Sequence, residues 1–122
     1  MGLDMYAFAT REPPGAPVDF KIEKGKAEQF HYWRKHPNMH GWMEKLYQAK
    51  GGKEEFNCVN LEITAQDLDE LERAIKGDHL PDTAGFFFGR SQGDEVPDDL
   101  AFIAEARQRI KDGWNIYYSS WW

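Results

Sequence analysis

Apolar and polar residues alternate along Leu3-Asp4-Met5-Tyr6-Ala7-Phe8-Ala9, which is the period of a strand with one buried face. Val18-Asp19-Phe20-Lys21-Ile22 alternates again, with Val18, Phe20 and Ile22 on one side. Between them, Thr10 to Pro17 holds three prolines and a glycine and reads as a stiff loop joining two paired strands. Lys24 to Lys35 begins as a helical segment. Pro37 is tolerated only in a first turn, so a helix is expected to start near His36 or Pro37. From there Met39, Trp42, Met43, Leu46 and Tyr47 recur at i, i+3, i+4, i+7 and i+8, the stripe of a helix with one buried face, and Gly51-Gly52 ends it.

Val59, Leu61 and Ile63 alternate with Asn60 and Glu62 and then meet Thr64-Ala65-Gln66-Asp67, a strand running into a helix cap. Thr64 caps the first free N–H groups, and Asp67 answers it as the partner in a capping box. Leu68, Leu71 and Ile75 form the buried stripe, and Gly77 and Pro81 stop the helix. Gly85-Phe86-Phe87-Phe88-Gly89 reads as a strand apolar on both faces. Pro97-Asp98-Asp99 opens a last helix with Leu100, Ile103, Ala104 and Ile110 turned inward and Gly113 as its stop, and Trp114 to Tyr118 reads as a final strand. The expected fold is α+β: a single domain over residues 1–122, with a mixed sheet of about five strands and three or four helices mainly on one face, in the order β-β-α-β-α-β-α-β.

A chain of 122 residues with 41% hydrophobic and 15% aromatic side chains can build its core without a metal or disulfide staple, but cannot form a TIM barrel or a complete α/β-hydrolase. Fifteen Lys and Arg against 21 Asp and Glu leave a net charge of −6 with no basic cluster, which argues against direct nucleic-acid binding. The one cysteine, Cys58, makes no internal disulfide and fits a reducing compartment. No apolar run approaches the roughly 20 residues needed to span a bilayer, and the start lacks a basic segment followed by an apolar one, so the expected location is the cytoplasm. Met1-Gly2 invites myristoylation, but Tyr6 stands where Ser or Thr is required.

His36, His40 and Glu44 lie four residues apart and share a face if one helix includes all three, a row able to ligate a divalent metal. The ordinary reading of the same row is ring packing at the flank of the apolar stripe, and Pro37 threatens to leave His36 outside the helix. Gly89-Arg90-Ser91-Gln92-Gly93 matches G-x-S-x-G after a strand, yet no histidine follows His79 and no helix follows Ser91 directly, so a small polar turn explains it better than a nucleophile elbow. Gly51-Gly52-Lys53 lacks the spacing of a phosphate-binding loop. The acidic groups Glu54-Glu55, Asp67-Asp69-Glu70 and Asp94 to Asp99 read as caps and solvated faces, and Cys58 as a small buried residue. No catalytic residue and no cofactor is called for.

Five Trp, five Tyr and eight Phe exceed what a domain of this size requires. They cluster as Phe30-His31-Tyr32-Trp33, as Phe86-Phe87-Phe88, and from Trp114 through Tyr117-Tyr118 to Trp121-Trp122. Core packing accounts for many of them but poorly for Trp121-Trp122, and large exposed aromatics mark interfaces or stacking pockets.

Met1 to Tyr6, Tyr32-Trp33-Arg34-Lys35, His40-Gly41-Trp42, Leu80-Pro81, Gly85 to Gly89 and Tyr117-Tyr118-Ser119-Ser120-Trp121 together resemble a group of small, functionally uncharacterised proteins from phages, prophages and bacteria. The resemblance runs nearly end to end and implies a phage-related origin without a mechanism. Some members carry the label phosphoglycerate kinase, which the length and the missing nucleotide motif do not support. The expected function is that of an accessory protein binding a protein partner or a second copy of itself through Tyr32, Trp33, Arg34, Trp121 and Trp122. A nucleotide-like small ligand, stacked on the aromatics and met by Arg34, Lys35 or Arg90, is one alternative. A metal-dependent enzyme using His36, His40 and Glu44, with His31 near them, is the other.

Overall fold

The computed structural model describes residues 2–81, 83 and 95–122. They form β1 (Asp4–Thr10), β2 (Ala27–Arg34), α1 (Pro37–Ala49), β3 (Leu61–Ile63), α2 (Ala65–Lys76), α3 (Val96–Lys111) and β4 (Asn115–Trp121). The strands make one sheet in the order β2-β1-β4-β3, and every pairing among them is antiparallel, where a mixed sheet was expected. The expected strand from Gly85 to Gly89, and Arg90 and Ser91 after it, fall outside the described residues.

Two readings of the N-terminal third are corrected. One partner of β1 is residues 27–34, where the segment Lys24 to Lys35 is expected to begin as helix. Phe30, Tyr32 and Trp33 favour a pleated surface, and pairing to β1 outweighs the weak helical preference before them. Val18 to Ile22 is not a strand: Val18 makes a single bridge to Leu61, and Asp19 sits at φ 58°, which breaks the extended run. The alternation there still reports burial, since Phe20 is buried and Val18 packs against the core.

The helices were read closely. Pro37 opens α1 with His36 as its cap residue. Thr64 and Asp67 complete the capping box of α2, and Asp67 also takes Lys50 Nζ at 2.5 Å. In α3 the buried stripe is Asp99, Phe102, Ile103 and Ala106; of the residues expected there Ile103 is buried, Leu100 and Ile110 pack partly against the core, and Ala104 is exposed.

All three helices contribute to one core with a single face of the sheet. Leu3, Met5, Ala7 and Ala9 of the β1 segment, Trp33 of β2, and Ile116 and Tyr118 of β4 meet Met39, Met43 and Tyr47 of α1, Leu68, Leu71 and Ile75 of α2, and Phe102, Ile103 and Ala106 of α3. A bulge in β2, where the register slips between Ala7 and Phe8, lets both Phe30 and His31 reach Phe102 of α3, at ring separations of 5.9 and 5.4 Å. The opposite face of the sheet carries no helix among the described residues.

Candidate interaction surface

Strand alternation places Asp4, Tyr6 and Phe8 of β1 on that open face. The register then sets their neighbours. Asp4 stands between Arg34 and Trp121, Tyr6 between Tyr32 and Ser119, and Phe8 between Gln29 and Tyr117. Ring centroids run Tyr32–Tyr6 at 5.5 Å, Tyr6–Phe8 at 6.0 Å and Phe8–Tyr117 at 5.0 Å, a diagonal aromatic band across three strands. Phe20 covers one end of the band, meeting Tyr117 edge-on at 5.4 Å. The other end is open: Tyr32 is 44% exposed and Trp121 65%.

Asp4 organises the open end. Tyr32 donates its hydroxyl to Asp4 Oδ1 at 2.5 Å, and Arg34 Nη1 approaches the same oxygen at 3.4 Å. The bond to Asp4, followed by partial burial, raises the Tyr32 pKa above the usual phenol value. Burial raises Tyr6 and Tyr117 as well. A groove of about 280 Å³ lined by Gly2, Asp4, Trp121 and Trp122 adjoins this point.

Three of the five expected binding residues, Tyr32, Arg34 and Trp121, thus converge around Asp4. Trp33 does not, because alternation turns it to the helix side, where it is 4% exposed and donates Nε1–H to Asp99 at 3.0 Å. Trp122 is half-buried, donating Nε1–H to the Phe56 carbonyl at 2.8 Å and exchanging backbone bonds with the Asn57 side chain, so its indole is held against His40 and Phe56 while the residue still borders the groove. Trp114, expected in the same cluster, instead lies under two guanidinium groups, Arg11 at 4.3 Å and Arg109 at 5.6 Å from its ring centroid. Among the described residues no guanidinium or aromatic ring covers Trp121.

The row His36, His40, Glu44 is divided. His36 is buried, with Nε2 3.0 Å from Asp99 and Nδ1 3.6 Å from Glu95. His40 is buried under Phe56, Tyr118 and Trp122, with Nδ1 2.7 Å from the Tyr118 hydroxyl. That burial lowers its pKa to about 4 and raises Tyr118 well above the phenol range. Glu44 shares neither arrangement, and His31 pairs with Asp98 at 3.1 Å. Among the described residues no group of three or more His, Cys, Asp or Glu is placed to hold a metal ion. Cys58, expected buried, is exposed at φ 60°.

Two residues that matter went unrecognised in the sequence. Asp4 was read only as a polar position of β1, and Asp99 only as an acidic residue opening α3. Asp99 is 1% exposed and joins Trp33 to His36. The signal was present, since Asp99 lies on the apolar stripe at i, i+3, i+4 and i+7 with Phe102, Ile103 and Ala106. No helix among the described residues is long and apolar enough to cross a membrane. Comparison with protein-family models, with curated proteins and with solved structures finds no match.

Proposed function

We propose that this chain is a non-enzymatic binding protein whose working surface is the open face of its sheet, engaging a protein partner or a second copy of itself. The observation that carries this is the unequal treatment of its indoles. Trp33 is buried and Trp114 lies under arginines, whereas Trp121 stands 65% exposed on the open face, opposite Asp4, whose carboxylate takes the Tyr32 hydroxyl at the open end of the aromatic band. Exposing an indole forgoes about 2 kcal/mol or more of burial, and such residues are the ones that anchor interfaces. Tyr32 and Tyr6 extend the same patch with rigid rings that lose little entropy when covered. With a single cysteine and a resemblance to functionally uncharacterised phage and bacterial proteins, we place its work in a reducing bacterial cytoplasm.

The test compares Tyr32→Ala and Trp121→Ala with Glu70→Ala on the exposed side of α2. Self-association is read by light scattering after size exclusion, partner capture from a bacterial lysate by quantitative mass spectrometry, and folding by circular dichroism. Loss of association in the two sheet-face variants alone supports the proposal. Equal behaviour of all three folded variants would sink it.

A further inference from the structure

The groove at the open end of the sheet combines features that a purely apolar docking surface does not need. It is lined by Gly2, Trp121 and Trp122, with the exposed indole of Trp121 on the same face as the one carboxylate, Asp4. Its Gly2 corner is bordered by two cations: a Cβ built there would lie 3.1 Å from Arg34 Nη2 and 3.3 Å from Lys35 Cε. Its volume of about 280 Å³ is close to the roughly 300 Å³ at which small-ligand sites begin.

Mixed charges beside an exposed indole disfavour simple ligands. A lone organic cation would be drawn to Trp121 and Asp4 but repelled by Arg34 and Lys35. An inorganic anion would meet the cations but gain nothing from Trp121. A molecule that satisfies all four has a flat π system, a hydrogen-bond-donating edge and an anionic end. Among nucleobases, guanine places two adjacent N–H donors on one edge, which suit a carboxylate. We propose that the groove binds a guanine mononucleotide, with the base against Trp121, its donor edge on Asp4 and its phosphate on Arg34 and Lys35.

The hydrogen bonds leave room for this. Both bonds to Asp4 fall on Oδ1, and Arg34 spends one donor on a 3.4 Å contact of an exposed pair, which is weak and easily exchanged. Arg34 therefore keeps donors for a phosphate, the planar fork that suits such a group. The net charge of −6 favours a single nucleotide over a strand, whose many phosphates would need a basic track. This site shares Trp121 with the interaction surface but does not depend on a protein partner.

The experiment titrates the purified chain with GMP, AMP, guanosine and inorganic phosphate, following tryptophan fluorescence and confirming saturation by calorimetry. GMP should bind at least about tenfold more tightly than AMP, the size of one or two charge-assisted hydrogen bonds, and more tightly than guanosine. Asp4→Asn should erase the preference for GMP over AMP, Arg34→Gln should shrink the advantage of GMP over guanosine, and Trp121→Ala should remove binding of both nucleotides. Equal affinity for GMP and AMP, tighter GMP binding in Arg34→Gln, or no binding at millimolar GMP would overturn the assignment. The light-scattering assay with Tyr32→Ala uses purified chain without nucleotide, so a failure here leaves the binding-surface reading standing and a failure there leaves this one.

Discussion

His40 shows how the environment of one side chain sets a measurable property of the whole protein. It is buried against Phe56 and Tyr118, and its folded pKa is lowered to about 4 from an ordinary 6.5. The unfolded chain therefore binds a proton between these values that the folded chain refuses. The stabilisation is complete above about pH 6.5 and is lost as pH falls towards 4, by up to roughly 3 kcal/mol. Urea unfolding of the wild type and of His40→Gln across pH 4 to 7 checks this: the acid-side loss should be steeper in the wild type, and parallel curves would contradict it. Asp99 is the second residue of this kind. Asp99→Ala leaves the Trp33 N–H and the His36 ring without their buried partner and should cost about 3 kcal/mol, read as a lower urea midpoint.

At the scale of elements, α1 contains a glycine whose role runs against helix propensity. Replacing a helical glycine with alanine normally adds up to about 1 kcal/mol of stability. A Cβ on Gly41, however, would overlap the side chain of Thr83, so Gly41→Ala should destabilise by about 1–3 kcal/mol. Adding Thr83→Gly should restore part of the loss, and a thermal melt of the three variants distinguishes steric overlap from a general helix effect.

Elements with a complete local signal were legible in the sequence. The stripe of α1 and the Thr64–Asp67 box of α2 are properties of a few adjacent residues, and both appear in the fold. Residues 27–34 were not legible, because their strand character depends on pairing with β1 and on a bulge that turns Phe30 and His31 towards α3. The run from Val18 to Ile22 misled for the converse reason: its alternation reflects burial of Val18 and Phe20 in a loop bent at Asp19.

At the scale of the molecule, the excess of aromatics was visible from composition, but its division between core and surface was not. Whether a ring lies inside or outside depends on strand parity. Tyr32 and Trp33 are adjacent in sequence and emerge on opposite faces, one 44% exposed and the other 4%. The pairing of Asp4 with both Arg34 and Trp121 joins residues 30 positions apart in one case and near opposite ends of the chain in the other, which no local pattern encodes. The arginines show the same division. Arg11 and Arg109 cover Trp114, and Arg109 also lies over Phe30 at 4.9 Å, while among the described residues no guanidinium covers the indole at the open end of the sheet.

The most direct measurement places a photoreactive benzoylphenylalanine at Trp121 and, separately, at the exposed Glu70 of α2, and irradiates each protein in a bacterial cell. An open sheet face that serves as the interaction surface predicts a discrete covalent adduct, with a partner or a second copy, from position 121 and none from position 70. Equal labelling from both positions, or adducts from position 70 alone, would contradict it.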